Sequence, residues 1–341
     1  LLLSDHGSYI GKSKEQFKIS FGMSDKPISY IPATKVDGFI IDANVTISSG
    51  AFKLIRQYGI PAVWQDHKDD DGMVLQPFNS HGSVEVRRSQ YEGVDSVKGV
   101  IYASKLVYQS CQNRINVLKR LYRNRIIDDL PESELQSMND QINRITTSKD
   151  THERICIDLR QFLMNTEALV SKSYYNSLAI VLDRYDWEFE KRSRRPAENG
   201  FNALLNYGYA ILKGRLTQYI AISGLDIYAG FLHTDRSGRE SLILDIIEEF
   251  RQVVVDEVIL HLISSEQILE SDFEMDEGGV IISEKIKKIY IPALFRRMST
   301  QFGNYSLNQH MIGQGRMLAS FLRGVSPDYH PFHLKLEAPW G

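Results

Sequence analysis

The segment YAGFLHTDRSGRESLILDIIEEFRQVVVDEV, Tyr228 to Val258, sets one imidazole, His233, a short polar loop ahead of an aliphatic run that carries Asp245, Glu248 and Glu249. One imidazole nitrogen with two or three carboxylate oxygens is a borderline-hard donor set. It suits Mn²⁺ or Mg²⁺ better than a thiophilic ion. At ~100° per residue, Asp245, Glu248, Glu249, Gln252 and Asp256 gather within about a third of a helix circumference. Leu, Ile, Val and Phe fill the opposite side. Such a stripe also describes the solvated face of an amphipathic helix, its first acids near the positive end of the helix dipole. A ligand reading needs a further carboxylate. Glu167, in FLMNTEALVSKSYY, is the candidate: its neighbours Phe162, Leu163, Leu169 and Val170 are apolar. Ser171 and Tyr174 share its side of a helix at i+4 and i+7. A surface glutamate is the alternative there.

Elements must hold these residues in place. FKISFG, VDGFIIDA, PAVWQD and GMVLQPF are short, rich in β-branched and aromatic residues, and bounded by Gly, Pro, Asp and Asn, which predicts strands. One helix interrupts them: Ser48 or Ser49 caps it, GAFKLIRQY forms it, and Gly59 followed by Pro61 stops it. From about Val84 the spacing turns helical, through VRRSQYEGVDSVKGVIYASKLVYQSCQNRINVLKRLYRNRI, SELQSMNDQINRI, THERICIDLRQFLMNTEALVSKSYYNSLAIVL, FNALLNYGYAILKGRLTQYIAIS, SLILDIIEEFRQVVVDEVILHLIS and the 284–300 region. The expected fold is α+β: a small, mainly-β sheet domain over 1–82, then a larger all-α domain over 83–341. The aromatic, proline-containing GVSPDYHPFHLKLEAPWG reads as a tail.

The chain has 341 residues, 43% hydrophobic and 24% charged, enough for about two domains with a sizeable core. No apolar run approaches the ~18 residues of a membrane span. The opening LLLSDHGSYIG reads as a strand rather than a secretory signal. Cys111 and Cys156 lack metal spacing, so a reducing cytoplasm is expected in place of a disulfide framework. The net charge of −3 means that any nucleic-acid contact must come from local basic clusters. Three are candidates: Arg114, Lys119, Arg120, Arg123 and Arg125 on one helix; Lys191, Arg192, Arg194 and Arg195 in a loop; and Lys285, Lys287, Lys288, Arg296 and Arg297. The loop is the preferred phosphate contact. Trp187 and Tyr185 beside it suit core packing better than stacking on a base.

RRPAENGFNALLNYGYAIL and GLDIYAGFLHTDRSGRESLILDIIEEFRQVVVD, with VDGFIIDANVTISSGAFKLIRQYGIPAVWQD and RRSQY earlier, resemble the CRISPR-associated integrase-endonuclease family, the Cas-one proteins of CRISPR adaptation, in its archaeal-like branch. The resemblance covers nearly the whole chain. It implies a metal-dependent enzyme that inserts protospacer DNA into a CRISPR repeat by attack of a 3′-hydroxyl, or hydrolyses DNA with water. Glu167, His233 and Glu248 are the implied ligands of Mg²⁺ or Mn²⁺. Asp245 is the implied catalytic supporter of His233, Arg251, in the family's Glu-Phe-Arg, is a DNA-binding candidate together with the basic loop, and Asn202 and Asn206 have a supporting role. The family's Gly-x-Glu-Gly around the first ligand is replaced here by Asn165 and Ala168. That substitution motivates a second reading, a catalytically silent scaffold. Two nearby acids without a cation are expected to titrate high. Implied partners are DNA, a second copy forming a homodimer through the sheet domain, and a Cas-two dimer, with the tail from Gly324 a candidate for its contact.

Overall fold

The computed structural model describes residues 1–3, 5–22, 27–41, 44–65, 72–75, 83–147, 156–276 and 278–337. Two four-stranded sheets form the N-terminal part. In one, β2 (Ser8–Ser13), β3 (Gln16–Ser20) and β4 (Ser29–Pro32) make an antiparallel meander, and β6 (Val45–Ile47) runs parallel to β2. The other has the order β1 (Leu2–Leu3), β5 (Phe39–Ile41), β7 (Ala62–Gln65), β8 (Gly72–Leu75), with only β8 antiparallel. Alternation along β2 and β3 turns Ile10, Phe17 and Ile19 inward against Phe39 and Ile41. Between the sheets' strands lies α1 (Ser49–Tyr58). Ser48 Oγ accepts the Ala51 N–H at 3.2 Å, and Gly59 closes the helix at φ +63°, as the capping residues require. The expected boundary at 82/83, the end of GMVLQPF and the start of THERICIDLR fall outside the described residues.

Helices follow: α2 (Ser83–Val94), α3 (Val97–Arg123), α4 (Glu132–Thr147), α5 (Cys156–Asp183) and α6 (Gly200–Ile222). The stretch of helical spacing that opens this part is divided into two helices, α2 and α3. Next come α7 (Ser241–Ile247), α8 (Glu257–Ser264), α9 (Glu284–Ser299) and α10 (Leu307–Leu322). Side-chain oxygens of Asn199, Ser283 and Ser306 cap α6, α9 and α10. Among the described residues two short antiparallel strand pairs, Glu274–Asp276 with Gly279–Ile281 and Gln301–Phe302 with Tyr305–Ser306, interrupt the helices. One apolar core runs through this part and a separate one fills the sheets. Gln218 of α6 joins the two by donating to the Phe39 carbonyl. No helix among the described residues is long and apolar enough to cross a membrane. Cys111 is a free, buried thiol that burial pushes up to about 12.

The segment from Ser241 to Ser264 is the axis of the helical part, and it is not a uniform helix. Glu248, Glu249 and Phe250 bond back three residues, to Asp245, Ile246 and Ile247. A π turn then spans Gln252–Asp256. Tightening followed by widening re-phases the side chains. The acids therefore do not form the solvated stripe that regular spacing predicts. Asp245, Glu249 and Asp256 are 0% exposed, Glu257 is 1% and Glu248 6%.

Each acid finds its own partners. Glu249 accepts from Tyr329 Oη at 2.6 Å and the Phe332 N–H at 2.7 Å, both in the tail. Asp256 accepts from Tyr174 of α5 at 3.0 Å and Tyr209 of α6 at 2.6 Å. Glu257 pairs with Arg120 of α3 and Arg297 of α9, all three buried. Arg297 Nε also donates to the Val253 carbonyl inside the π turn, at 2.9 Å. Arg120 and Arg297, expected in nucleic-acid-facing clusters, are thus internal counter-ions.

Glu257→Ala would strand two buried guanidinium groups. Denaturant unfolding is expected to show a loss of about 3–5 kcal/mol. Asp256 gives a pH signature. Burial pushes its carboxyl up to about 6, against the pull of the Tyr209 hydroxyl, the Arg251 charge and the Tyr174 hydroxyl. The unfolded chain ionises near the ordinary value of 3.8, so this group's contribution is most favourable below pH ~4 and is lost as pH rises through about 6. Asp256→Asn lacks that step. Its stability relative to the parent should rise by up to ~3 kcal/mol between pH ~4 and ~7, measured by urea titration at each pH.

Candidate active site

Asp245 organises the loop that carries the histidine. Its carboxylate accepts the backbone N–H groups of Phe231, Leu232 and His233 at 2.6, 3.0 and 2.9 Å. It also lies 2.7 Å from His233 Nδ1. A carboxylate already serving as acceptor to three N–H groups takes Nδ1–H as a further donor, so whenever the imidazole is neutral its lone pair lies on Nε2. Burial acts to lower the His233 pKa, but the hydrogen bond and charge of Asp245, helped by Glu248, raise it overall. The loop must pass close to the start of α7. A Cβ at Gly230 would lie 2.7 Å from the His233 carbonyl oxygen and 2.8 Å from Ser241 Cβ, so only glycine fits.

Glu167 projects from α5 and Glu248 from the tight turn after α7, and two arginines join them. Arg114 of α3, 1% exposed, bonds Glu167 and, at 2.9 Å, Glu248. Arg251, 13% exposed, lies 3.3 Å from the same Glu167 oxygen and 2.8 Å from Glu248. Ser171, one turn along α5, donates to Glu167 at 2.7 Å. For Glu167, burial favours the neutral acid, yet Arg114 and Arg251 outweigh it and the pKa falls. Glu248 is more enclosed; burial dominates over Arg251 and its pKa rises, with Glu167 adding to the rise. The expectation that both acids titrate high therefore holds for Glu248 alone, because the guanidinium groups supply positive charge. His233 is near enough that its charge lowers both acids.

Glu167 and Glu248 are thus brought onto shared partners, with the His233–Asp245 pair beside them. Among the described residues no three His, Cys, Asp or Glu side chains close around one point; the carboxylates face guanidinium groups instead. Arg114 was expected in a nucleic-acid-facing cluster, and its burial corrects that. The available signal was spacing. Val107, Cys111, Arg114, Leu118 and Leu121 recur at three and four residues, so Arg114 falls on an apolar stripe.

The basic loop splits in two. Arg192 turns inward: it donates to Asn202 Oδ1 at 3.0 Å and Asn206 Oδ1 at 2.6 Å, and its guanidinium lies 5.5 Å from the Tyr209 ring centre. Asn202 and Asn206 return donors to the carbonyls of Lys191 and Arg194, at 2.9 and 2.7 Å. The two asparagines therefore brace the loop rather than the carboxylates. Lys191, Arg194 and Arg195 are exposed. Trp187 is buried against Phe273, and the Tyr185 hydroxyl bonds the Ile126 carbonyl.

The family model described as CRISPR associated protein Cas1 matches residues 1–296. CRISPR-associated endonuclease Cas1 1 of Archaeoglobus fulgidus is 30% identical over 338 residues, covering 95% of this chain and 96% of its own length. Among solved structures, a casposase bound to integration product has a TM-score of 0.81 at 18% identity, covering 99% of this chain and 95% of that one. A Cas6-RT-Cas1–Cas2 complex gives a TM-score of 0.78 at 19% identity, covering 98% of this chain and 36% of that longer chain. The family match over most of the length, and a relative this similar end to end, agree with the paired sheets, the helical body and the acid-bearing axis: the chain belongs to the Cas1 family.

Proposed function

We propose that this protein is a divalent-metal-dependent DNA endonuclease and integrase of CRISPR adaptation. It would join the 3′-hydroxyl of a protospacer to a CRISPR repeat, or cut DNA when water replaces that hydroxyl. The observation that carries the reading is the pair Glu167 and Glu248, from distant parts of the chain, held on common counter-ions beside an imidazole whose Nδ1 is already engaged. Two carboxylate oxygens and one imidazole nitrogen fit Mg²⁺ or Mn²⁺ in donor chemistry. Glu167, Glu248 and Nε2 of His233 would hold the ion. When bound, it supplies Lewis-acid polarisation of the scissile phosphate and charge neutralisation at the leaving 3′ oxygen.

The chain's own residues do the rest. Asp245 keeps the imidazole in one tautomer and one orientation. Arg114 holds both carboxylates in register from the rear. Lys191, Arg194 and Arg195 contact DNA phosphates without reading sequence. Residues 1–82 form the unit through which two copies pair, and 83–341 the catalytic unit. A Cas2 dimer is the proposed protein partner, on the strength of the solved complex of similar fold that contains Cas1 and Cas2. A silent scaffold remains the second reading, favoured by Asn165 and Ala168 around Glu167 and by the guanidinium groups on both acids.

Strand transfer of a duplex with free 3′-hydroxyl ends into a repeat-bearing plasmid, in Mn²⁺, separates the two. Glu167→Gln and His233→Ala are each expected to lower the rate by about 10²–10³-fold while DNA binding is kept. No strand transfer by the parent itself would leave the scaffold, and equal activity in the parent and both variants would point to a contaminant or another site.

A further inference from the structure

The charges around the carboxylate pair balance without any ion: Glu167 and Glu248 against Arg114 and Arg251. The two arginines are not equivalent. Arg114 is 1% exposed, sits on the buried face of α3 and also donates to Ser110 Oγ at 3.3 Å. Arg251 is 13% exposed and its guanidinium lies 5.7 Å from the ring centre of Tyr209. That same ring carries Arg192, at the foot of the exposed basic loop. The Tyr209 hydroxyl is fixed on Asp256, so the ring is anchored. One arginine is built in, and the other rests on an aromatic surface that leads toward the expected path of DNA.

A divalent cation entering beside two carboxylates and two guanidinium groups would bring an excess of positive charge into a poorly screened place. We propose that Arg251 is an exchangeable counter-ion: it closes the carboxylate pair in the free protein, and moves along the Tyr209 ring to a DNA phosphate when a divalent cation takes the carboxylates. Guanidinium suits both stations. It pairs with carboxylate or phosphate through the same fork and keeps its contact with an aromatic face throughout. Tyr209 is then a positioning residue for Arg251. The inference rests on the metal-site reading above and adds to it the identity of the group that yields.

The test is Mn²⁺ affinity, read from the electron paramagnetic resonance of free Mn²⁺ with the full chain and no DNA. Arg251→Gln is expected to tighten Mn²⁺ binding by about tenfold or more. Binding of a duplex blocked at its 3′ ends, followed by fluorescence anisotropy, should match the parent without Mn²⁺ and weaken several-fold with it. Equal Mn²⁺ affinity in the parent and Arg251→Gln overturns the exchange while leaving the metal site standing. Absence of Mn²⁺ binding in both, or binding unaffected by Glu167→Gln and Glu248→Gln, removes the metal site itself and the exchange with it. Should Arg251→Gln fail to fold, Arg251→Lys serves. Both acids meet one guanidinium nitrogen, Nη2, and an ammonium there is a more strongly hydrated charge without the contact to the Tyr209 face, so a tightening of about threefold is expected, and an unchanged affinity counts against the exchange.

Discussion

Placing five carboxylates on one buried helical axis is the constraint from which the rest of the helical part follows. A charge removed from water is costly unless it is paired or hydrogen-bonded. Asp245 draws in the backbone of the histidine loop, Glu248 draws in α3, and Asp256 draws in tyrosines from α5 and α6. Glu257 gathers α3 and α9, and Glu249 the tail. Nearly every neighbour of the axis therefore reaches it through a polar contact inside an otherwise apolar core. Hydrophobic residues of similar volume would often serve stability as well or better. What the acids add is direction: each contact has one geometry, so the elements meeting at Glu167, His233 and Glu248 cannot slide.

Much of this was legible in the residues. Ser48 and Gly59 bounded their helix, and runs of β-branched and aromatic residues between Gly, Pro, Asp and Asn marked the strands. The candidate site residues were readable too, partly from their chemistry and partly from resemblance. The burial of the acids was not. A 3.6-residue period assumes a regular helix, whereas the turn at 248–250 and the π turn at 252–256 send successive acids to different neighbours. Clusters of Lys and Arg misled for a related reason. Proximity in sequence cannot tell a solvated arginine from one that faces a buried acid, and Arg114, Arg120 and Arg297 are of the second kind.

The tail shows another limit. It lies extended along α3, where Asn113, Asn116, Arg120 and Arg123 act as a polar ladder. Asn113 donates to the Phe332 carbonyl at 2.9 Å and accepts the Leu334 N–H at 2.9 Å. Asn116 donates to the Leu334 carbonyl at 2.8 Å, and Arg123 to that of Leu336 at 2.8 Å. Positions recurring every three or four residues on a helix thus match every second residue of an extended chain. The pairing involves backbone on one side, so no residue type in the tail announces it. The ladder ends on Glu249, the residue next to Glu248, so the tail buttresses the site from behind.

A site whose acids are neutralised by arginine has a consequence for folding. Where a cation alone holds ligands together, as in zinc fingers, binding energy is folding energy and the apo chain unfolds. Here Arg114 and Arg251 already offset Glu167 and Glu248, and Asp245 already fixes the imidazole. The site can therefore be assembled by the chain itself. On the proposed reading, metal affinity is the part that suffers, since an ion must compete with charges already in place. A weakly held ion is compatible with an enzyme whose substrate is itself a polyanion. DNA brings phosphate oxygens that can complete the coordination and at the same time offer the displaced guanidinium a partner. Ion and substrate would then bind more tightly together than apart, and the carboxylates would be fully committed to catalysis only when DNA is present.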